Sequence, residues 1–315
     1  MKKTTERKNV ICFGEILWDI LPASAQPGGA PMNVAYHLNK LQVQAHLVSR
    51  TGQDEPGKQL RNLLTEWGLP VTYCGTDAVY PTSEVHARVN AHHEVSYEIL
   101  YPVAWDFISY QSRYSDLLAS ADALVFGSLV TRNETSRATL FKLLEKSGYN
   151  VFDVNLRAPH YAPEHVKQLL QATDLLKLNE HELILITDWL SSSCSSEADR
   201  IQLLQEKFGI QEIIVTKGSR GASFFTPHAQ LDCAACKVEV ADTVGSGDAF
   251  LAAFLAKRLQ GNTAEVALAY AAALGGFVTR NHGACPDYTL SELEEFKQSQ
   301  EAAKLTCPET LLQVL

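Results

Sequence analysis

DTVGSGDAFL, residues 242–251, places two glycines around a serine, follows them with an acid, and only then begins an apolar run. Gly245 and Gly247 can adopt backbone angles closed to other residues, and Ala249 to Leu259 reads as a helix. The glycines therefore sit at a helix N-terminus, where the first backbone N–H groups lack intrahelical partners and the dipole is positive. A phosphate suits such an end. Asp248 admits two readings at this point: a cap or dipole partner, the commoner use of an acid in a first turn, or a catalytic group.

Outward from this stretch, apolar runs recur in a strand-then-helix rhythm. VICFGEIL precedes a helix from about Asn33, and AHLVSRTG precedes one at Lys58 to Trp67; ALVFGSLV, NVFDVNLR, DLLKLNE and EIIVTKG follow. Such alternation implies a mostly parallel sheet covered by helices on both faces. Residues 71–101 depart from it, with β-branched residues, alternation of period two and turn signals. They are expected to form a small β-sheet lid, completed by residues 17–27, over a main domain made of 1–16, 28–70 and 102–315. His92 and His93, within the lid, read as exposed turn residues rather than ligands. Beyond residue 242 the chain turns helical, and the alanines of AEVALAYAAALGGFVTR allow close packing. SSSCSSEAD at 191–199 reads as a loop.

The whole chain bounds the function. Its 315 residues, 46% hydrophobic, can bury a large core, as one sizeable α/β domain with an appendage or two modest domains. With 27 basic against 36 acidic residues, a net charge of −9 and no dense basic run beyond MKKTTERK, nucleic acid is not an expected partner. Glu15 and Asp19 interrupt NVICFGEILWDIL, so it reads as neither a signal segment nor a membrane span, and a cytoplasmic protein is expected. The seven cysteines (12, 74, 194, 233, 236, 285 and 307) are odd in number and scattered, which points to reduced thiols. The C-x-x-C of Cys233 and Cys236 lacks the second pair or nearby histidine of a zinc set and reads as structural.

Two rival phosphate motifs fail. GQDEPGKQ, residues 52–59, has P-loop spacing, but Gln59 stands where a Mg²⁺-binding hydroxyl is needed, and Asp54 and Glu55 bring negative charge to a phosphate's place. A dinucleotide fingerprint started at Gly245 would put Phe250 at its last glycine. What remains is an anion hole at a helix start, Gly245, Ser246 and Gly247, followed at once by a carboxylate. Phosphoryl transfer needs little more from a protein than positioning, charge stabilisation and one group to take a hydroxyl's proton. A kinase of small hydroxylated molecules, with Asp248 as base, is the economical hypothesis.

DTVGSGDAF resembles the C-terminal signature of the PfkB, or ribokinase-like, carbohydrate kinases. GEILWDIL with PGGAPMNVAYHL resembles the family's N-terminal sugar-binding region, and DVNLR a D-x-N-x-R segment of its fructokinase branch. KLNEHEL matches N-x-x-E, VTKGSRGA resembles T-x-G-x-x-G, and the likeness covers residues 9–290. It implies a three-layer α/β/α fold with a β lid and an ATP-dependent sugar kinase acting on fructose at a primary hydroxyl. It also implies Asp248 as base beside the Gly245–Gly247 hole, and Asp19, Gly28, Gly29, Asn33 and Arg157 around the sugar. Thr216, Gly218, Gly221, Asn179 and Asn281 would serve the nucleotide. Asn179 and Glu182 would organise Mg²⁺ through waters, or simply cap a helix; Asp242 and Thr243, with the stretch near Asn281 to Gly283, are candidates for a K⁺ site. Trp18 and Trp105 read as packing before sugar stacking. Two departures concern the sugar and nucleotide sides: the lid lacks the basic and aromatic pattern of many fructokinases, and Lys217 replaces a small or apolar residue. The alternatives are another sugar, 2-keto-3-deoxygluconate or a nucleoside as substrate, or a non-catalytic sensing homologue. Val85, Val89 and Val95 could pair the lid with a second copy in a homodimer.

Overall fold

The computed structural model describes residues 7–21, 24–89, 95–191 and 193–306. The chain enters through β1 (Asn9–Phe13), turns outward into the antiparallel pair β2 (Leu17–Leu21) and β3 (Ser24–Gly28), and returns through α1 (Ala30–Lys40) to β4 (Gln44–Gly52). Next come α2 (Glu55–Glu66), β5 (Cys74–Asp77), and the antiparallel pair β6 (Ser83–Val89) and β7 (Val95–Ile99). A regular alternation follows: α3 (Arg113–Ala119), β8 (Ala123–Gly127), α4 (Glu134–Leu144), β9 (Asn150–Asp153), α5 (Pro163–Gln171) and β10 (Leu175–Asn179). Helices α6 (Glu180–Asp188) and α7 (Glu197–Phe208) lead to β11 (Glu212–Thr216), the hairpin β12 (Ala222–Thr226) and β13 (Ala229–Cys233), then α8 (Ser246–Leu259), α9 (Ala264–Thr279) and α10 (Leu290–Thr306).

The strands sort into two sheets. Nine lie in the order β13-β12-β11-β10-β9-β8-β1-β4-β5, parallel from β5 to β11 and antiparallel in the final hairpin. Four form a smaller sheet, β3-β2-β6-β7. Cys74–Asp77, inside the 71–101 segment expected to form the lid, pairs with β4 in the large sheet instead. Its short register, Ser49 with Cys74 through Gly52 with Asp77, extends the parallel edge before the chain leaves for the smaller sheet.

Side chains alternate across the large sheet, so each strand feeds two cores. Val10 and Cys12 pack on the face covered by α1, α8 and α9, while Ile11 and Phe13 pack on the other. This explains why the parallel strands read as continuous apolar runs. Ala249, Ala252, Ala253 and Ala256 of α8 are fully buried with Ala267 and Ala271 of α9, small side chains that let the two helices approach. Trp105 is fully buried beneath the Arg132 guanidinium at 4.0 Å, and the Trp18 indole donates to Pro56 O at 3.1 Å, so both serve packing. The rejected P-loop stretch is a capped helix start: Asp54 accepts from Gly57 N at 2.9 Å, its own carboxylate occupying the place of an anion. His92, His93 and Cys307 lie outside the described residues. Among those described, no helix is long and apolar enough to cross a membrane.

Candidate active site

A cavity of about 620 Å³ lies where the C-terminal ends of β9, β10 and β11 meet the start of α8, with the smaller sheet across from them. In an open parallel sheet this is where crossover loops and helix starts converge on a ligand. The site is built from the α8 end outward.

Gly245 caps α8 with φ 75°, a left-handed conformation that glycine adopts without penalty. A Cβ there would stand 2.4 Å from Ala284 Cβ, so the 283–285 loop packs against bare backbone. Ser246 Oγ donates to Thr243 O at 2.9 Å, which tightens the turn, and Ser246 itself is not among the lining residues. Asp248 makes no capping bond to its helix; its Oδ2 accepts from Asn33 Nδ2 of α1 at 2.7 Å. That choice separates the two readings of the acid, because a carboxylate spent on a cap would face the helix and not the cavity. Burial is the main cause that pushes the Asp248 carboxyl up to about 6, with Asp153 adding to it and Lys177, the Asn33 amide and Arg157 opposing.

On the sugar side, Asp19, Gly29, Asn33 and Arg157 line the cavity. Asp19 is also raised to about 6, chiefly by burial. Gly28 does not line it, yet a Cβ there would meet Asp19 Oδ2 at 2.2 Å, so the glycine makes room for that carboxylate. Gly29, with φ 110°, begins α1 against the carbonyl of Glu15. Arg157 is exposed at the rim and donates to Leu156 O, not to a surface carboxylate. Val85, expected to meet a second copy, is buried and lines the cavity with Ile99; the Val89 and Val95 side chains lie outside the described residues.

On the nucleotide side, Asn179 and Glu182 form a reciprocal capping box at α6, each side chain accepting from the other's backbone N–H at 2.9 Å. Glu182 Oε1 also accepts from Leu156 N at 2.9 Å, tying α6 to the DVNLR segment. Both residues and Thr216 line the cavity; Gly218, Gly221 and Asn281 do not. Gly221 is a close-approach position, where a Cβ would fall 1.9 Å from Cys233 O, whereas nothing lies within 4 Å of one on Gly218. The Asn281 amide donates to Phe277 O at 2.7 Å, closing the end of α9. Asp242 joins two loops by accepting from Val244 N at 2.9 Å and Gly283 N at 3.1 Å. Asp242 and Thr243 both line the cavity. Lys217 pairs with Glu197 at 2.8 Å and donates to Ser223 Oγ at 2.7 Å, so its charge is directed away from the site.

Sequence reasoning gave no individual role to Lys177, Asp153, Glu15 or Asn155, all of which line the cavity. Lys177 and Asp153 form an ion pair across adjacent strands, Lys177 Nζ reaching both carboxylate oxygens at 2.7 and 2.8 Å. Burial alone would lower the lysine, but Asp153 and Asp248 hold it protonated and its pKa moves up. Glu15, only 3% exposed, accepts from Ala30 N at 3.2 Å through Oε1, while Oε2 has no partner among the described residues. Burial pushes it up to about 7. Asn155 holds φ 44°, an uncommon left-handed value for a non-glycine residue and one that clusters at functional sites. The available signals were a lysine inside the apolar strand LLKLN, an acid just beyond the apolar strand NVICF, and the DVNLR motif itself, which contains Asp153 and Asn155.

With this geometry in place, comparison with known proteins gives a consistent result. The pattern described as pfkB family carbohydrate kinase matches residues 10–290. A fructokinase of Escherichia coli is 30% identical over 259 residues, 77% of this chain and 82% of that protein. One of Klebsiella pneumoniae is 29% identical over 292 residues, 86% and 93% of the two chains. The structure of a Vibrio cholerae O395 fructokinase in its fructose, ADP and calcium ion bound form superposes with a TM-score of 0.79 at 25% identity, covering 92% of this chain and 98% of that one. A Xylella fastidiosa fructokinase with bound ATP reaches 0.84 at 21% identity, covering 94% and 99%, a likeness of fold.

Proposed function

The chain belongs to the pfkB family of carbohydrate kinases, phosphotransferases acting on sugar hydroxyls with a ribokinase-like α/β fold, and from that premise we propose that it transfers the γ-phosphoryl of ATP to a primary hydroxyl of fructose. The observation that carries the reading is the Asp248 carboxylate, held by Asn33 beside the uncapped N–H groups of α8 and free of any capping duty. In this reading Asp248 takes the hydroxyl's proton, and the Gly245–Gly247 backbone stabilises the charge on the transferring phosphoryl. Asp19 and Asn33 accept and donate to sugar hydroxyls, and the smaller sheet acts as the lid that excludes water.

Asn179 and Glu182 fit a hydrated Mg²⁺: after their capping bonds the Glu182 oxygens keep further lone pairs, and oxygen donors suit a hard cation. Among the described residues no group of three or more His, Cys, Asp or Glu could hold a metal by itself, so Asn179 and Glu182 would hold such an ion together with phosphate and water. Its chemistry would be to neutralise phosphate charge. Asp242 and Thr243 remain the candidates for K⁺, and a cytoplasmic location goes with the reading.

A sugar acid such as 2-keto-3-deoxygluconate would bring a further negative charge to Glu15, Asp19 and Asp248, with Arg157 opposing from the rim and the Lys177 ammonium already paired with Asp153. Fructose fits that balance better. The test is product formation from ATP and Mg²⁺ across fructose, ribose, 2-keto-3-deoxygluconate and nucleosides. Preference for fructose supports the reading, and preference for another member of the panel replaces it. Binding of sugar and ATP without product from any of them would favour a sensing role.

A further inference from the structure

Lys177 poses a question that the sheet alone does not answer. It sits in LLKLN between buried leucines, and meets Asp153 at the same register position of the neighbouring strand. Replacing a buried ion pair with apolar residues is often neutral or stabilising, so stability alone is a weak reason for one here. An ammonium has three N–H donors. Two are used on the Asp153 oxygens, and Nζ meets no third acceptor among the described residues.

The position of Nζ gives the third donor a use. A Cβ built on Gly247 would lie 3.4 Å from Nζ and 3.8 Å from Cε, so the ammonium rests beside bare backbone in the first turn of α8. Lys177, Asp153, Gly247 and Asp248 all line the one cavity. A positive charge held there by a buried partner needs no reorganisation when negative charge develops next to it.

We propose that Lys177 is a further catalytic residue, donating its third N–H to a non-bridging oxygen of the γ-phosphoryl during transfer while Asp153 holds the ammonium in place. The sugar oxygen forms its bond to phosphorus as the bridging P–O bond breaks. The hydroxyl proton goes to Asp248, the bond's electron pair leaves with ADP, and Lys177 keeps its protons throughout. The inference rests on the kinase reading above, with the start of α8 as the phosphoryl site.

The test measures kcat with ATP, Mg²⁺ and fructose, together with fructose and ATP affinity and Tm, for the full-length protein. Lys177→Met should lower kcat roughly 100-fold or more, while fructose binding changes less than about three-fold. Lys177→Ala should regain at least roughly tenfold in kcat on addition of methylammonium, which should not accelerate the wild type. Should an unpaired Asp153 prevent folding, Asp153→Leu with Lys177→Met leaves no buried charge, and the same kcat loss is expected there. Turnover within about three-fold of wild type in these variants would overturn the proposal. So would a loss that methylammonium does not relieve and that follows a fall in Tm, since a purely structural pair predicts that. If the wild type leaves fructose untouched, the substrate assignment fails instead, and the comparison moves to whichever sugar of the panel it phosphorylates.

Discussion

The two sides of the cavity are built on different physics. The floor is the end of the large sheet and the start of α8. There Asp153, Lys177 and Asp248 stand on elements packed into two cores, and the start of α8 carries no side-chain cap. The opposite wall is the smaller sheet, which contributes mainly Leu17, Leu21, Pro27, Val85 and Ile99 together with the Asp19 carboxylate. The floor is suited to a phosphoryl group, whose charge is the same in every kinase reaction; the wall is suited to a sugar, whose shape is not. Chemistry is therefore expected to respond to changes on the floor and selectivity to changes on the wall.

The largest effect should come from the floor. Asp248→Asn keeps the Asn33 contact within reach but removes the base, and kcat should fall roughly 100- to 10,000-fold with ATP affinity retained, as read by titration calorimetry. Near-normal turnover would remove Asp248 from that role and break the division between floor and wall.

Gly245→Ala comes next. At φ 75° and with a Cβ directed at Ala284, the substitution should distort the anion hole and lower kcat roughly 100- to 1,000-fold. Unchanged sugar affinity in the same variant would confirm that the damage stays on the floor.

Asp19→Ala tests the wall. Losing a charge-assisted hydrogen bond should raise KM for the sugar about 10- to 100-fold, with ATP affinity unaffected. A loss confined to kcat would place Asp19 with the floor instead.

The pH response follows from the raised carboxyls. A base titrating near 6 must be ionised to act, so kcat should decline as pH drops below about 6. Stability moves the other way. Asp19, Asp248 and Glu15 all bind protons more tightly folded than unfolded, so folding is favoured by their protonation and loses that contribution as pH rises through about 6 to 7. Glu15→Gln should therefore raise Tm at pH 7.5, with a smaller gain at pH 5. An equal gain at both values would count against a buried, ionising Glu15.

The smallest effect is expected from Ile99→Val, about 0.5–1.5 kcal/mol of stability by urea unfolding and less than about a three-fold change in sugar KM. A larger shift in KM would mean that the apolar wall, and not Asp19, sets the sugar's fit.

Much of the fold was legible because parallel strands buried on both faces leave continuous apolar runs, as in ALVFG and EIIVT, and capped helices leave turn signals between them. The edge strand Cys74–Asp77 was not, since CGTD carries no apolar run and belongs to the large sheet only by pairing with β4. In the site, Asp248 and the glycines were legible because a helix start, a positive φ and an acid are consecutive in the chain. Gly28 was legible as part of a motif but not in its physical role, which is to leave space for Asp19.

By itself the sequence determined the α/β class, the glycine-led start of α8 and the acid in its first turn, because these depend on residues within one or two turns of each other. Only the tertiary structure decided which charges share the cavity. Lys177 and Asp153 are 24 positions apart and meet through strand register, and Asn33 reaches Asp248 across 215 residues. Such contacts depend on which strand lies beside which and where a helix docks, and those are set by burying two cores at once rather than by any local pattern.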